Sequence, residues 1–457
     1  MTALTVCAAN CAHCRHSSPF QIVLHYAAQV AKTCGQVTAS AMGQTLDRHS
    51  IDRAGNVALV LLFLLPMFMA IVPWDLFGNT NWRSVIVRTY SLHVTMFHIL
   101  FIPVGILAGC SVFAEWHRLP YIVRNSLFGL LATSLFTIFA VAPNKSNAII
   151  SLLQLVLVFL FFLTFSFIVR GQGKAFVERL WFSLGAGIIA YLVFWAITLV
   201  VRWPPEIEWI MAAVPGMSNV RSIGFFSLVA FCAGISVANS ELRYRYIIAA
   251  IFIVCGAWGS ALWTGSRGPV LAIVLAGLFY ILVSPGSKKW NFVLVFGSLI
   301  VAVILVYPIP YESDIYGLQS LLLGNQKGDL NSVSSGRVEI WKNLLVKFLD
   351  NPIFGIGLDQ YYQPGSNLEW SVKQPHNWPI QIIFSTGIFG FTLLLLVLKN
   401  TIRIDSDLIN FKYNLPFTVF SFGFLIYSLY DGVAYYLYPI TIAAIVLSFL
   451  RFDRELY

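Results

Sequence analysis

The chain has 457 residues, of which 58% are hydrophobic and only 11% are charged. Soluble globular proteins are about 25% charged, so this composition excludes a soluble globular protein and indicates an integral membrane protein. The net charge of +9 does not indicate nucleic-acid binding, because basic residues collect in the cytoplasmic loops of membrane proteins. No basic stripe interleaved with aromatic residues occurs in a water-soluble segment.

Residues 1–50 differ from the rest of the chain, because they are mixed in polarity and contain no long apolar run. They lack the continuous apolar stretch of a signal peptide. We expect a cytoplasmic segment that is disordered or precedes a native start near Met42. Cys7, Cys11 and Cys14 have the spacing of radical enzymes that hold an iron–sulfur cluster, but those enzymes need a soluble barrel domain that the chain lacks.

From Ala54 onward, apolar runs long enough to cross a bilayer follow one another. A spanning helix needs about 20 apolar residues, and helices are the open-ended solution because their backbone groups pair internally. The sequence predicts an all-α polytopic membrane protein with about twelve spans: 54–74, 90–113, 121–141, 147–169, 180–201, 222–239, 246–264, 268–284, 290–307, 378–398, 413–430 and 434–450. The predicted regions are 1–50 (N-terminal segment), 51–307 (spans 1–9), 308–377 (long extracytoplasmic loop) and 378–457 (spans 10–12 and a cytoplasmic tail).

The charge distribution predicts the orientation. With a cytoplasmic N-terminus, each short loop on the inner side is basic, as cytoplasmic loops usually are. The inner loops then carry, among others, Arg118, Arg170, Lys288 and Lys399. Five unusual polar residues from five separate segments fall together on the extracytoplasmic side: Arg221, Arg267, Arg337, His376 and Asp431.

The long loop contains one clear helical pattern. Ser335 is a suitable N-cap, and apolar residues at helical spacing follow Arg337 as far as Phe348. We expect a helix that lies on the membrane surface. The Gly355 and Gly357 turn that follows is not a dinucleotide fingerprint, because the third glycine and the strand–helix context are absent.

Four positions could carry chemistry. His376, followed by Asn377, ends the loop, and imidazole can accept a proton near neutral pH; the alternative is an interfacial histidine bonded to backbone. Arg267 interrupts an apolar stretch, and Arg221 has the same character. Each is either an interface arginine or a phosphate ligand. Asp431 could pair with an arginine, orient the histidine or cap a turn, and we favour the turn.

An ordered set of motifs resembles the O-antigen ligase/polymerase superfamily. The set runs through the core of the chain in a fixed order: Thr264-Gly-Ser-Arg-Gly-Pro269, Ser335-Gly-Arg337 with Ile340-Trp341, Asn351-Pro352, Gly355-Ile-Gly357, Pro375-His-Asn377, Gln381 and Gly387-Ile-Phe-Gly390. The resemblance implies a GT-C-type glycosyltransferase that needs no metal or cofactor and inverts the anomeric carbon. It also implies a bacterial inner-membrane location, with the active site facing the periplasm.

The resemblance further implies the substrates and the roles of residues. The donor would be a glycan on undecaprenyl diphosphate, and the acceptor lipid A–core or another glycan. By position, His376 matches the family's proposed base, Arg221 and Arg267 match its diphosphate-binding arginines, and Arg337 matches the Ser-Gly-Arg motif. We favour an O-antigen ligase over an O-antigen or exopolysaccharide polymerase or a protein O-oligosaccharyltransferase. A transporter or flippase is disfavoured, because we find no internal repeat.

Overall fold

The computed structural model describes residues 48–71, 82–172, 174–201, 223–240, 243–308, 317–318, 321, 337–360, 375–402 and 414–452. The chain divides into two compact units, residues 1–51 and 52–457. Within the described ranges the chain is all-helical and contains no strand. Arg221, which the sequence predicts as a phosphate ligand, and the N-terminal cysteines lie outside the described residues.

Fourteen helices in the described part of the chain are numbered here in chain order. They are α1 (Arg48–Ile71), α2 (Trp82–Leu107), α3 (Val112–His117), α4 (Tyr121–Ala140), α5 (Lys145–Arg170), α6 (Lys174–Val201), α7 (Ile223–Asn239), α8 (Arg243–Trp263), α9 (Arg267–Val283), α10 (Lys288–Val306, with a π-helical turn at Val293–Gly297), α11 (Arg337–Phe348), α12 (Trp378–Thr401), α13 (Leu415–Asp431) and α14 (Leu437–Phe452). A short 3₁₀ turn, Val433–Tyr435, joins α13 to α14.

Each of the twelve predicted spans coincides with an apolar helix. Seven of these helices are long and apolar enough to cross a membrane, namely α1, α4, α5, α6, α8, α10 and α12. The other five are apolar but shorter over their described residues, namely α2, α7, α9, α13 and α14. The structure therefore supports a multi-pass membrane protein, whereas the count of about twelve spans stays a prediction.

Helix α7 lies at the centre of the bundle. Its residues from Ile223 to Ala238 are all buried, and it packs against α6, α8, α9 and α13. A helix that is apolar on every side belongs in such an interior position. Small residues allow the close approach: a Cβ added at Gly234 would lie 2.5 Å from the Val254 side chain.

Helix α5 extends from one end of the helical bundle to the other. Its 26 residues extend about 39 Å. At its C-terminal end, Arg170 and Arg118 both pair with the buried carboxylate of Glu115. At its N-terminal end, the Gln360 amide exchanges two hydrogen bonds with the backbone of Asn144, at 2.8 and 2.9 Å. The 337–360 segment thus ends at one end of α5. Arg118 and Arg170, which are predicted to be cytoplasmic, lie at the other end.

Helix α12 is broken at Gly387, and a turn from the loop fills the break. Gly387 has φ 68° and ψ −177° inside the helix. The loop amides of Ile356 and Gly357 donate to the carbonyls of Phe384 and Ser385, and the amides of Ile388 and Phe389 donate to Pro352 and Ile353, all between 2.9 and 3.1 Å. Two glycine motifs that are about 30 residues apart in sequence therefore form one contact.

The prediction from this contact concerns Gly387. A Cβ at this position would lie 2.0 Å from the Ile353 carbonyl oxygen. The left-handed backbone alone disfavours a side chain by about 1–3 kcal/mol. Gly387→Ala should therefore lower the thermal unfolding midpoint of the detergent-solubilised protein. Gly259→Ala is the matched control, because its Cβ would meet nothing closer than 3.7 Å; equal midpoints for the two variants would contradict the packing described.

Candidate functional site

The C-terminal end of α13 is capped by side chains from the loop. The last carbonyls of a helix have no partner within the helix. Here Asn377 Nδ2 donates to the Leu429 carbonyl at 2.9 Å, and Arg337 Nη1 donates to the Tyr430 carbonyl. Gly432 then ends the helix in the left-handed conformation, with φ 38°. The loop is thereby attached to α13 at the start of its described 337–360 segment and at its C-terminal end.

Asp431, the last residue of α13, lies at the centre of the site. Its Oδ1 atom lies 3.0 Å from His376 Nδ1 and 3.6 Å from Arg337 Nη2. The Asp431 side chain is only 16% exposed, so water screens these charges less than it would at an open surface. The guanidinium of Arg337 also lies over the Tyr430 ring, 5.1 Å from its centroid.

His376 has a left-handed backbone, with φ 54°. Such a conformation is uncommon outside glycine and persists only where neighbouring contacts enforce it. Two contacts do so here. Trp341 Nε1 donates to the Pro375 carbonyl at 2.8 Å, and Asn377 caps α12 by accepting from the Ile380 amide at 3.0 Å. The imidazole is therefore held between two anchored residues, with its side chain 33% exposed.

The beginning of α9 lies against the same end of α13. A Cβ added at Gly268 would lie 3.2 Å from Asp431 Cβ and 3.0 Å from the Tyr427 ring. The beginning of α7 is close as well, because a Cβ at Gly224 would lie 2.4 Å from Pro269. The backbone that carries Arg267 therefore adjoins the His376–Asp431 pair.

Arg267 differs from Arg337 in its contacts. It is the first residue of α9 and is partly exposed. Its N-cap, Ser266, makes no side-chain hydrogen bond to the helix. Within the part of the chain that the structure describes, no hydrogen bond or ion pair engages the Arg267 guanidinium. A positive side chain at the positive end of a helix favours an anion.

The arrangement supports acid–base chemistry at the histidine. An ionised carboxylate can only accept hydrogen bonds, so the contact with Asp431 assigns the proton to Nδ1 of His376. The Nε2 atom of the neutral ring then carries the lone pair. Such a histidine can accept a proton at Nε2 while the carboxylate stabilises the resulting imidazolium.

The structure joins most of the residues predicted from sequence. Four of them converge at the end of α13: His376, Asn377, Arg337 and Asp431. For Asp431 we favoured a role in a turn. It does precede the turn at Gly432, but its carboxylate also contacts His376 and Arg337. The contacts of Tyr430 with Arg337 and of Tyr427 with the beginning of α9 were not predicted from the sequence. The sequence pattern placed Trp341 on an apolar helical face and in the family motif, but it did not predict that the indole N–H donates to the Pro375 carbonyl.

Comparison with known families identifies a domain that overlaps this candidate site. Residues 250–395 match the family model Wzy_C, described as O-Antigen ligase. The matched segment contains Arg267, Arg337, His376 and Asn377, whereas Asp431 lies beyond it. No curated protein matches the chain. Residues 250–395 are therefore similar to the O-antigen ligase superfamily.

Proposed function

We propose that the chain is an O-antigen ligase-type glycosyltransferase. In this proposal it moves a glycan from undecaprenyl diphosphate to lipid A–core at the periplasmic face of the bacterial inner membrane. The observation that carries the proposal is the hydrogen bond between His376 and Asp431, formed beside the beginning of α9 in a chain with an O-antigen ligase domain.

The proposed reaction begins at the acceptor hydroxyl. Nε2 of His376 takes the hydroxyl proton as the oxygen attacks the anomeric carbon of the donor glycan. A new glycosidic C–O bond forms while the bond from the anomeric carbon to the diphosphate breaks, and the diphosphate leaves with the bonding electrons. Attack from the side opposite the diphosphate inverts the anomeric carbon. Asp431 stabilises the imidazolium during the transfer.

The proposed role of the arginines is to stabilise the leaving diphosphate. Guanidinium groups match phosphate oxygens and remain charged, so they can stabilise the negative charge that develops on the leaving group. Arg267 suits this role because no described group pairs with it. Arg337 has five N–H donors, of which two contact α13. The remaining donors leave it able to contact the anion as well, and Arg221 completes the proposed set.

One prediction tests the roles of His376 and of the Asp431 carboxylate. In purified protein with carrier-linked glycan and acceptor, His376→Ala should slow transfer by about 10²–10⁴-fold, the usual contribution of a general base. Donor binding should be retained, because the imidazole contacts the acceptor proton and not the diphosphate. Asp431→Asn keeps the size of the side chain but removes its charge, so the turnover rate should fall while donor affinity holds. Full activity of His376→Ala would exclude the proposed base.

Another prediction tests whether Arg267 binds the diphosphate of the donor. Arg267→Ala should weaken binding of the carrier-linked donor, because an otherwise unpaired guanidinium is lost. Arg267→Lys should recover part of the affinity, since an ammonium keeps the charge but not the paired geometry. Arg53→Ala is the matched control, because Arg53 is an exposed arginine on α1. Donor affinity unchanged in Arg267→Ala would count against the diphosphate site.

The acceptor is tested in a deletion strain. Loss of a ligase should leave carrier-linked polymer while lipid A–core carries no polymer. Loss of a polymerase, the second candidate, should instead leave lipid A–core bearing a single repeat. Gel electrophoresis of the lipopolysaccharide distinguishes the two outcomes. A single-repeat product would show that the protein is a polymerase and not a ligase.

A further inference from the structure

The exposed face of α11 changes character along the helix. At its N-terminal end this face carries Glu339 and Lys342, which are both exposed. Toward the C-terminal end it carries Leu345 and Val346, with exposures of 60% and 68%, and Leu349, 67% exposed, follows directly after the helix. Residues three and four apart share a helical face. One side of α11 is therefore polar near Arg337 and apolar one turn later.

The opposite side of α11 already packs against the protein. Leu344 is buried with Ile356 and Phe384, and Ile340 and Phe348 pack around them. The helix thus has two apolar sides, of which only one is covered by the described chain. The uncovered apolar side needs another explanation, because contiguous apolar surface in contact with water is unfavourable.

Beyond the helix, after the exposed Asp350, the uncovered apolar side resumes toward helices α4 and α12. Ile353 and Phe354 follow it with exposures of 60% and 37%. The Phe354 ring lies 5.0 Å from Phe136 on α4 and 6.0 Å from Phe389 on α12. Those two rings are themselves 50% and 46% exposed, on helices long and apolar enough to cross a membrane. Exposed apolar side chains on a membrane-spanning helix contact lipid wherever no other protein covers them.

We propose that Leu345, Val346, Leu349, Ile353 and Phe354 form a membrane wedge that inserts among phospholipid acyl chains. In this arrangement the wedge extends the lipid-facing surface of α4 and α12. Helix α11 is tilted, so that its C-terminal end enters the apolar edge of the bilayer while Glu339 and Lys342 remain at the level of the headgroups. Interfacial helices with one apolar face enter the headgroup–acyl boundary in this way. Lys342 and Lys347 add attraction to anionic headgroups.

The wedge links the membrane surface to the candidate site. Helix α11 begins at Arg337, which contacts the Tyr430 carbonyl and Asp431. The turn at residues 352–357, which carries the last two residues of the wedge, is bonded through four backbone hydrogen bonds to α12, whose N-cap Asn377 follows His376. Insertion of the wedge therefore fixes the distance of the histidine from the bilayer surface. The inference does not rest on the transferase activity, because it uses only exposure, packing and charge.

The experiment places the photo-crosslinking residue p-benzoyl-phenylalanine at position 346 or 349 of the full chain. The protein is reconstituted in vesicles of phosphatidylethanolamine and phosphatidylglycerol, irradiated, digested and analysed by mass spectrometry. The positive control is position 304 on α10, where Ile304 is 66% exposed. The negative control is position 339, on the polar end of the same helix. Unfolding midpoints are compared with that of the unsubstituted chain, and position 349 serves if the 346 variant does not fold.

We expect phospholipid adducts at positions 346, 349 and 304, and no adducts at position 339. Two results would overturn the wedge. The first is the absence of adducts at 346 and 349 while position 304 reacts, which would place the face in water. The second is cross-links from 346 and 349 to peptides of this chain, which would mean that protein covers the face. Adduct formation uses no glycan, so either result leaves the proposed transferase activity untouched.

Discussion

A carboxylate at the C-terminal end of a helix lies where the helix dipole is negative, and Asp431 occupies that position on α13. The partial negative charges of the last carbonyls and the charge of the carboxylate would repel one another if left alone. Arg337 contacts both a terminal carbonyl and the carboxylate, and His376 hydrogen-bonds the carboxylate from the loop. The beginning of α9, the positive end of its own dipole, adjoins the same residue. The loop, α9 and α13 are thus held together by one unfavourable charge and the groups that compensate it.

The position of the loop depends on a second constraint, which is geometric. The break in α12 leaves backbone groups unpaired in an apolar environment, and the turn at residues 352–357 supplies their partners. Only glycine permits this approach at Gly387, because a Cβ there would collide with a carbonyl oxygen. These hydrogen bonds hold the turn in place on α12, which begins at Trp378, two residues after His376. The position of His376 therefore depends on α12 as well as on its contact with Asp431 at the end of α13.

The two arginines of the described site have different surroundings, although both suit an anion. Arg337 is engaged with α13 through its guanidinium and its contact with the Tyr430 ring, so part of its charge already serves the structure. Arg267 has no described partner and lies at a helix N-terminus. In the proposed function, Arg337 mainly maintains the histidine–carboxylate pair, whereas Arg267 binds the diphosphate.

The sequence by itself determined the helical class of the protein, the positions of its apolar helices and the identity of most polar residues of the site, because apolar runs and charges buried among them are local features of the chain. It could not determine that Asp431 meets His376 and Arg337, since residues 337, 376 and 431 come from separate segments and their contact depends on how α11, α12 and α13 pack. Nor could it pair Gly355 with Gly387, because each motif alone is compatible with an ordinary turn or an ordinary helix. Only the tertiary structure decided these contacts, because they arise from unpaired backbone groups and helix-end charges that acquire partners when the helices come together.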